Sequence, residues 1–359
     1  MRFLMLPQER RVRLEVTTDG RHLTFILVSL YEAGYGVQVY CGDWFFRELM
    51  LLRKTAPIPF MYGGKETKCG ISITDRPSTL DSGRSRLFVL DYDYFSGLPA
   101  EVVKGGAEKL STRHPLPATA PEALRMPYFM HPSIYHKGLH KRVSATRHSP
   151  QRRRRFRIGF FGTHDREFYT KHYHFPGMNR FEILEVFLQK FGDQITHLRG
   201  FSRDWNPCEM AVSIDSRGGD RKGKSFLSQD HYFEALQECD FVLSPPGWCM
   251  PLSHNLIEAI FCGAIPITNG GEYMAEPLKD GETCLEFQDA DGLLPVIDRA
   301  LAMDAGDVEL MRRAVLEHYD RFLEPKAFVE EFACCESERV FVNVEEKSVP
   351  FIYENLKFN

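Results

Sequence analysis

The stretch Phe241–Thr268, FVLSPPGWCMPLSHNLIEAIFCGAIPIT, decides how the rest of the chain is read. It opens with an apolar run, Phe241-Val242-Leu243, which Ser244-Pro245-Pro246-Gly247 stops. After Trp248-Cys249-Met250-Pro251, Ser253 stands where a helical pattern begins. Leu256, Ile257, Ile260 and Phe261 recur at the spacing of one buried helix face. Gly263 is placed as the residue just past the helix end, and Ala264-Ile265-Pro266-Ile267 makes a second short apolar run. Strand, loop, helix and strand within about 30 residues form a βαβ unit of a parallel sheet.

Such a unit leaves a loop and a helix N-terminus at the carboxyl edge of the sheet, where unpaired N–H groups favour a phosphate. Ser253 is a good N-cap residue. Glu258, five residues later, is either a solvated helix residue or a carboxylate that accepts two ribose hydroxyls.

The wording of this segment resembles the donor-domain signature of GT-B glycosyltransferases, above all that of the exostosin-like family. The family pattern is an apolar strand ending Pro-x-Gly, a Ser opening a helix, Glu-Ala inside it, then Gly-(Cys/Ala)-Ile-Pro-(Val/Ile). This chain supplies Pro245-Pro246-Gly247, Ser253, Glu258-Ala259 and Gly263-Ala264-Ile265-Pro266-Ile267. The resemblance implies an α/β chain with two Rossmann-like domains facing each other across a cleft. It also implies that Glu258 holds the ribose of a nucleotide-sugar, UDP-sugar first, with Ser253 near its phosphates. Pro245, Gly247, His254 and Asn255 would complete the donor surface. The close match covers about 30 residues, and where the family commonly carries Arg after Pro and after Ser this chain has Pro246 and His254.

The totals bound the alternatives. A chain of 359 residues suits two domains of about 150–190. A hydrophobic content of 43% with 26% charged residues is that of an ordinary globular protein. The formal net charge of −4 argues against general nucleic-acid affinity. Nine scattered cysteines without a CxxC pair indicate neither a disulfide framework nor a zinc site, and reduced thiols suit a cytoplasmic protein. The apolar run at the N-terminus is too short for a signal peptide, and no span of about 20 apolar residues occurs.

Working outward from the central stretch, the first 140 residues read as the acceptor-side domain. Arg11–Val16 alternates charged and apolar residues as a strand. His22–Ala33 has helical spacing, Gly34 and Gly36 end it, and Val37–Tyr40 begins the next strand. Ile71–Asp75 and Leu87–Asp91 are two further strands, each reaching an acid at the carboxyl end, where open α/β sheets place ligands. Asp91 and Asp93 are candidates for a general base, or residues that cap the next turn. His131, within Pro127–Pro132, is a competing base or packs against Tyr128 and Tyr135.

Residues 141–155 read as a basic linker, ending in Arg152-Arg153-Arg154-Arg155. It is either a solvated connector or a patch for phosphate or an anionic membrane surface. The second domain, 156–335, opens with the strand Phe156–Thr163. The resemblance places the loop at Gly162, Thr163 and His164 against the donor phosphates. Phe181–Phe191 is an amphipathic helix, and Ile195–Gly200 is the next strand. From Arg203 to Lys224 the chain reads as a polar loop, in which Arg203 or Lys222 closes over a diphosphate or serves only as connection. Ser228–Gln237 is a helix leading into Phe241, and 336–359 is a tail that crosses back to the first domain.

The function expected is transfer of a sugar from a nucleotide donor to a carbohydrate or lipid-linked glycan acceptor, in glycan or polysaccharide synthesis. No metal or other cofactor is expected, since no carboxylate cluster of metal-binding type occurs. The rivals are a sugar-nucleotide epimerase on the same architecture, recruiting Asp91, His131 and His164, and a non-catalytic carbohydrate binder. The latter rests on 28 Phe and 14 Tyr, which a core explains as well.

Overall fold

The computed structural model describes residues 11–16, 25–26, 28–30, 32–33, 36–41, 60–62, 71–74, 86–90, 123–148, 153–171, 173, 177–198, 205–215, 227–247, 251–274, 276–334 and 339–344. Among these the strands are β1 (Arg11–Val16), β2 (Gly36–Cys41), β3 (Phe60–Tyr62), β4 (Ile71–Thr74), β5 (Arg86–Leu90), β6 (Ala123–Met126), β7 (Phe156–Thr163), β8 (Ile195–His197), β9 (Cys208–Asp215), β10 (Cys239–Leu243), β11 (Ile265–Thr268), β12 (Leu285–Glu286) and β13 (Arg339–Val344). The helices are α1 (Pro132–His136), α2 (Leu139–Ser144), α3 (Arg166–Lys171), α4 (Arg180–Phe191), α5 (Gln229–Gln237), α6 (His254–Phe261), α7 (Ala290–Ala302), α8 (Ala305–His318) and α9 (Pro325–Ala333).

The chain is α/β and forms two compact units, each around its own parallel sheet. The first unit holds residues 1–127, 131–138 and 322–359, and the second 128–130 and 139–321. In the first sheet the strand order is β3-β4-β2-β1-β5-β13-β6. The late strand β13 thus pairs with β5 on one side and β6 on the other, both in parallel register. Helical residues Phe25, Ile26 and Leu30 are fully buried there, with Phe25 against the rings of Tyr135 and Phe328.

The second sheet runs β12-β11-β10-β7-β9-β8. Its central strands are apolar on both faces because helices cover both, so Phe156, Ile158, Phe160 and Phe161 of β7 are all buried. Each such side chain contributes about 1.5–3 kcal/mol on leaving water. The helix α6 buries Leu256, Ile257, Ile260 and Phe261, the face its spacing predicts. It ends at Gly263 in the left-handed region, φ +65°. There Gly263 N–H donates to Ile260 O at 2.9 Å and Ala264 N–H to Ala259 O at 2.9 Å, which closes the last helical carbonyls.

Two sequence readings are corrected. The polar stretch 203–224 contains β9, whose Met210, Ala211 and Val212 are buried between β7 and β8. Its short apolar centre, flanked by polar residues, conceals an interior strand. The basic stretch is also not a free connector. Leu139, His140 and Val143 of α2 are buried, and Arg147 lies over the rings of Phe261 and Tyr319 at 4.8 Å while ion-pairing with Asp320. Arg154 is 8% exposed and donates to Cys239 O and, at 2.8 Å, to Cys262 O. Burial and the neighbouring Arg312 lower its pKa to about 9, which leaves it charged at neutral pH. The four-arginine run therefore cannot act as one solvated patch. Arg153 is exposed, Arg155 is half-buried against Glu238, and Arg152 lies outside the described residues.

Candidate functional site at the sheet switch point

From β7 the chain moves outward to β8 and β9 on one side, then crosses to β10 on the other and continues to β11 and β12. The connections therefore diverge between β7 and β10. Ligands of open α/β sheets sit at that divergence, outside the carboxyl ends of the strands. Here those ends are Gly162-Thr163 of β7 and the turn Ser244-Pro245-Pro246-Gly247 after β10, which leads to α6. The stretch that organised the sequence reading thus lies at this point in the second unit.

The turn is held by side chains because prolines lack N–H groups and their buried carbonyls need donors from elsewhere. Arg180, at the start of α4 and 5% exposed, supplies them. Its Nε donates to Pro246 O at 3.0 Å and its Nη2 to Pro245 O at 3.4 Å. Its Nη1 donates to the Tyr169 hydroxyl at 3.0 Å, and the guanidinium lies 4.8 Å from the Tyr169 ring centre. That hydroxyl in turn hydrogen-bonds Thr163 Oγ1. One cation thus ties the ends of β7 and β10 together.

Ser253 does not cap α6 with its side chain. Its Oγ donates to Pro245 O at 3.0 Å instead, so the N-cap role expected from sequence passes to turn closure. Asn255 donates from Nδ2 to Phe161 O at 2.8 Å, which fastens α6 to β7. His254 places Nδ1 2.7 Å from Phe129 O, which can only accept, so that nitrogen carries the proton. Its ring stacks on Tyr128 at 5.2 Å. Gly162 allows close packing, as a Cβ there would stand 3.2 Å from the Phe160 ring.

Glu258 is 2% exposed and so is not a solvated helix residue. Tyr232 of α5 donates its hydroxyl to Glu258 Oε2. Burial, followed by the adjacent Glu258, pushes the Tyr232 phenol well up, so it remains the donor. The Tyr232 ring meets Phe161 edge-on at 6.4 Å. Tyr232 of α5 thus links Phe161 of β7 to the Glu258 carboxylate of α6.

The other expected residues fall elsewhere. His164 stacks on Phe181 at 4.8 Å, and its Nε2 is 3.0 Å from Glu185, so the ring is engaged with α4. His131 belongs to the first unit, is exposed, and caps α1 by accepting at Nδ1 from Ser133 N–H at 3.3 Å. Asp91, Asp93, Arg203 and Lys222 lie outside the described residues. Sequence reading missed Arg180, Tyr169 and Tyr232, which look like ordinary helix residues until the turn they serve is in place. Buried Cys239 and Cys262 are unsuited to nucleophilic work, as burial pushes both thiols up. Among the described residues no group of three His, Cys, Asp or Glu is arranged to hold a metal, and no helix is long and apolar enough to cross a membrane.

No protein-family model matches the chain, and no curated protein matches it. Solved structures do resemble it. One is Anabaena Alr3699/HepE in complex with UDP, at 10% identity and TM-score 0.40, covering 90% of this chain and 98% of that one. Another is the Escherichia coli structure described as trehalose-6-phosphate bound with UDP-2-fluoro glucose, at 9% and 0.44, covering 90% and 98%. A third is AviGT4, a glycosyltransferase of avilamycin A biosynthesis, at 12% and 0.37, covering 90% and 96%. These scores and identities are low, so the site is read from this chain's own residues.

Proposed function

We propose that the chain is a GT-B glycosyltransferase that moves a sugar from a nucleotide-sugar, UDP-sugar first, to a hydroxyl of a carbohydrate or lipid-linked glycan. The observation that carries this reading is the folding of Pro245-Pro246-Gly247, Ser253, Glu258 and Gly263–Ile267 as one βαβ unit at the switch point. In that unit Glu258 is a buried, oriented carboxylate suited to paired ribose hydroxyls. The diphosphate would lie across the β7 and β10 ends, where helix N–H groups and a buried cation favour anions.

Transfer requires the departing diphosphate to be stabilised and, where configuration inverts, the acceptor hydroxyl to be deprotonated. We assign the base to Asp91 or Asp93, which directly follow β5, ahead of His131, whose Nδ1 is engaged in capping. No metal is assigned a role. The exostosin-like resemblance supports polysaccharide synthesis as the setting.

The test is incubation with candidate nucleotide-sugars, with and without sugar acceptors. Acceptor-dependent release of nucleoside diphosphate is expected. Isomerised donor without acceptor would indicate an epimerase, and no turnover with retained sugar binding would indicate a lectin-like role.

A further inference from the structure

Arg180 is a buried arginine that meets only neutral groups among the described residues. Its three nitrogens meet two carbonyls and a phenol, and its π face meets a ring, all of them neutral. No carboxylate of the described residues forms an ion pair with it. Two of the other buried arginines have an acid, Arg147 ion-pairing with Asp320 and Arg312 with Asp240. Arg154 lies near both Arg312 and that same Asp240, and is opposed more by the arginine than it is favoured by the acid. Arg180 also opposes the rise of the Tyr232 phenol's pKa, and that phenol donates to Glu258.

A guanidinium withdrawn from water without a counter-ion is unfavourable unless its surroundings compensate, and proteins ordinarily pair it. Here it is held by a fork that neutral acceptors fully orient, at the strand ends where the chain connections diverge. An oriented, unneutralised cation in that place favours an incoming anion without having to reorganise.

We infer that Arg180 is a positioning residue for the donor diphosphate. It fixes the Pro245–Gly247 turn through its carbonyls and keeps a positive charge behind that turn for the phosphates to face. The inference rests on the nucleotide-sugar reading above.

Calorimetric titration separates this role from a merely structural one. UDP (with GDP and ADP beside it) and uridine are titrated into the parent, Arg180→Gln and Arg180→Lys. Arg180→Gln should weaken UDP roughly 10- to 100-fold and leave uridine within about threefold. Arg180→Lys, which retains the charge but not the fork, should recover most of the UDP affinity at a lower melting temperature. If Arg180→Gln does not fold, Tyr169→Phe is read instead, with about a 2- to 10-fold loss for UDP and none for uridine. Equal losses for UDP and uridine, or none for either, would overturn the inference and leave Arg180 a structural clamp. A parent that binds none of the three diphosphates removes the underlying reading itself.

Discussion

Arg154 and Arg180 are both buried arginines of the second unit, and both donate to main-chain carbonyls. Their settings differ in one respect. Near Arg154 stands Asp240, whose carboxylate pairs with Arg312 at 2.6 Å and Arg157 at 3.2 Å. Arg157 also donates to Ala300 O at 2.8 Å, so this cluster holds α7, α8, β7 and β10 together. Among the described residues no acid plays that part near Arg180, and its contacts secure the turn at the carboxyl ends of the sheet. The first site sets an acid among its cations and holds elements in register. The second sets a cation among neutral groups at the strand ends where the chain connections diverge.

The comparison is broken most strongly at Asp240. Asp240→Asn leaves Arg312, Arg157 and Arg154 without their shared acid and should destabilise by about 3 kcal/mol, or roughly 6–12 °C in melting temperature. Nucleotide affinity should stay at the parental value. Denaturant unfolding beside titration checks both, and a large affinity change would show that the two regions are not separate.

A smaller effect is expected at Gly263. Alanine there would occupy φ +65° and bring a Cβ within 3.2 Å of Leu316 and 3.3 Å of Arg154. The loss should be about 1–2 kcal/mol, again without change in binding. Unfolding midpoints that match the parent would contradict the packing described.

The smallest concerns pH. Burial lowers the pKa of His318 below its ordinary 6.5, against the opposing influence of Glu276. The unfolded chain then takes up a proton that the folded chain refuses. Stability is complete above about pH 6.5 and falls on acidification, by at most about 1.4 kcal/mol per pH unit. His318→Gln should show a shallower decline than the parent between about pH 6.5 and 5. Parallel curves would remove His318 from the account.

Much of the second unit was legible because its signals are local. The apolar runs of β7, β10 and β11, the one-sided spacing of α6 and the glycine that ends it all lie within a few residues of the structure they specify. The readings that failed depend on partners far along the chain. Arg154 is buried because carbonyls 85 and 108 residues away accept its protons, and a run of four arginines gives no sign of that. Arg180 serves carbonyls 65 and 66 residues downstream, so it looks like a helix's first residue. Strand β9 was obscured because its buried run, Met210 to Ser213, is short, ends in a serine and stands amid polar neighbours. The resemblance singled out Glu258, but neither its burial nor the Tyr232 hydroxyl that donates to it, 26 residues upstream, shows in the sequence.

The central claim is that the β10–α6 turn and Glu258 bind the nucleotide of a sugar donor. Titration of UDP, GDP and ADP into the parent and Glu258→Gln tests it most directly. The parent should bind at least one diphosphate in the micromolar range, and the variant should lose roughly 10- to 100-fold at similar fold stability. Equal affinity in the two proteins, or no binding by either, would contradict it.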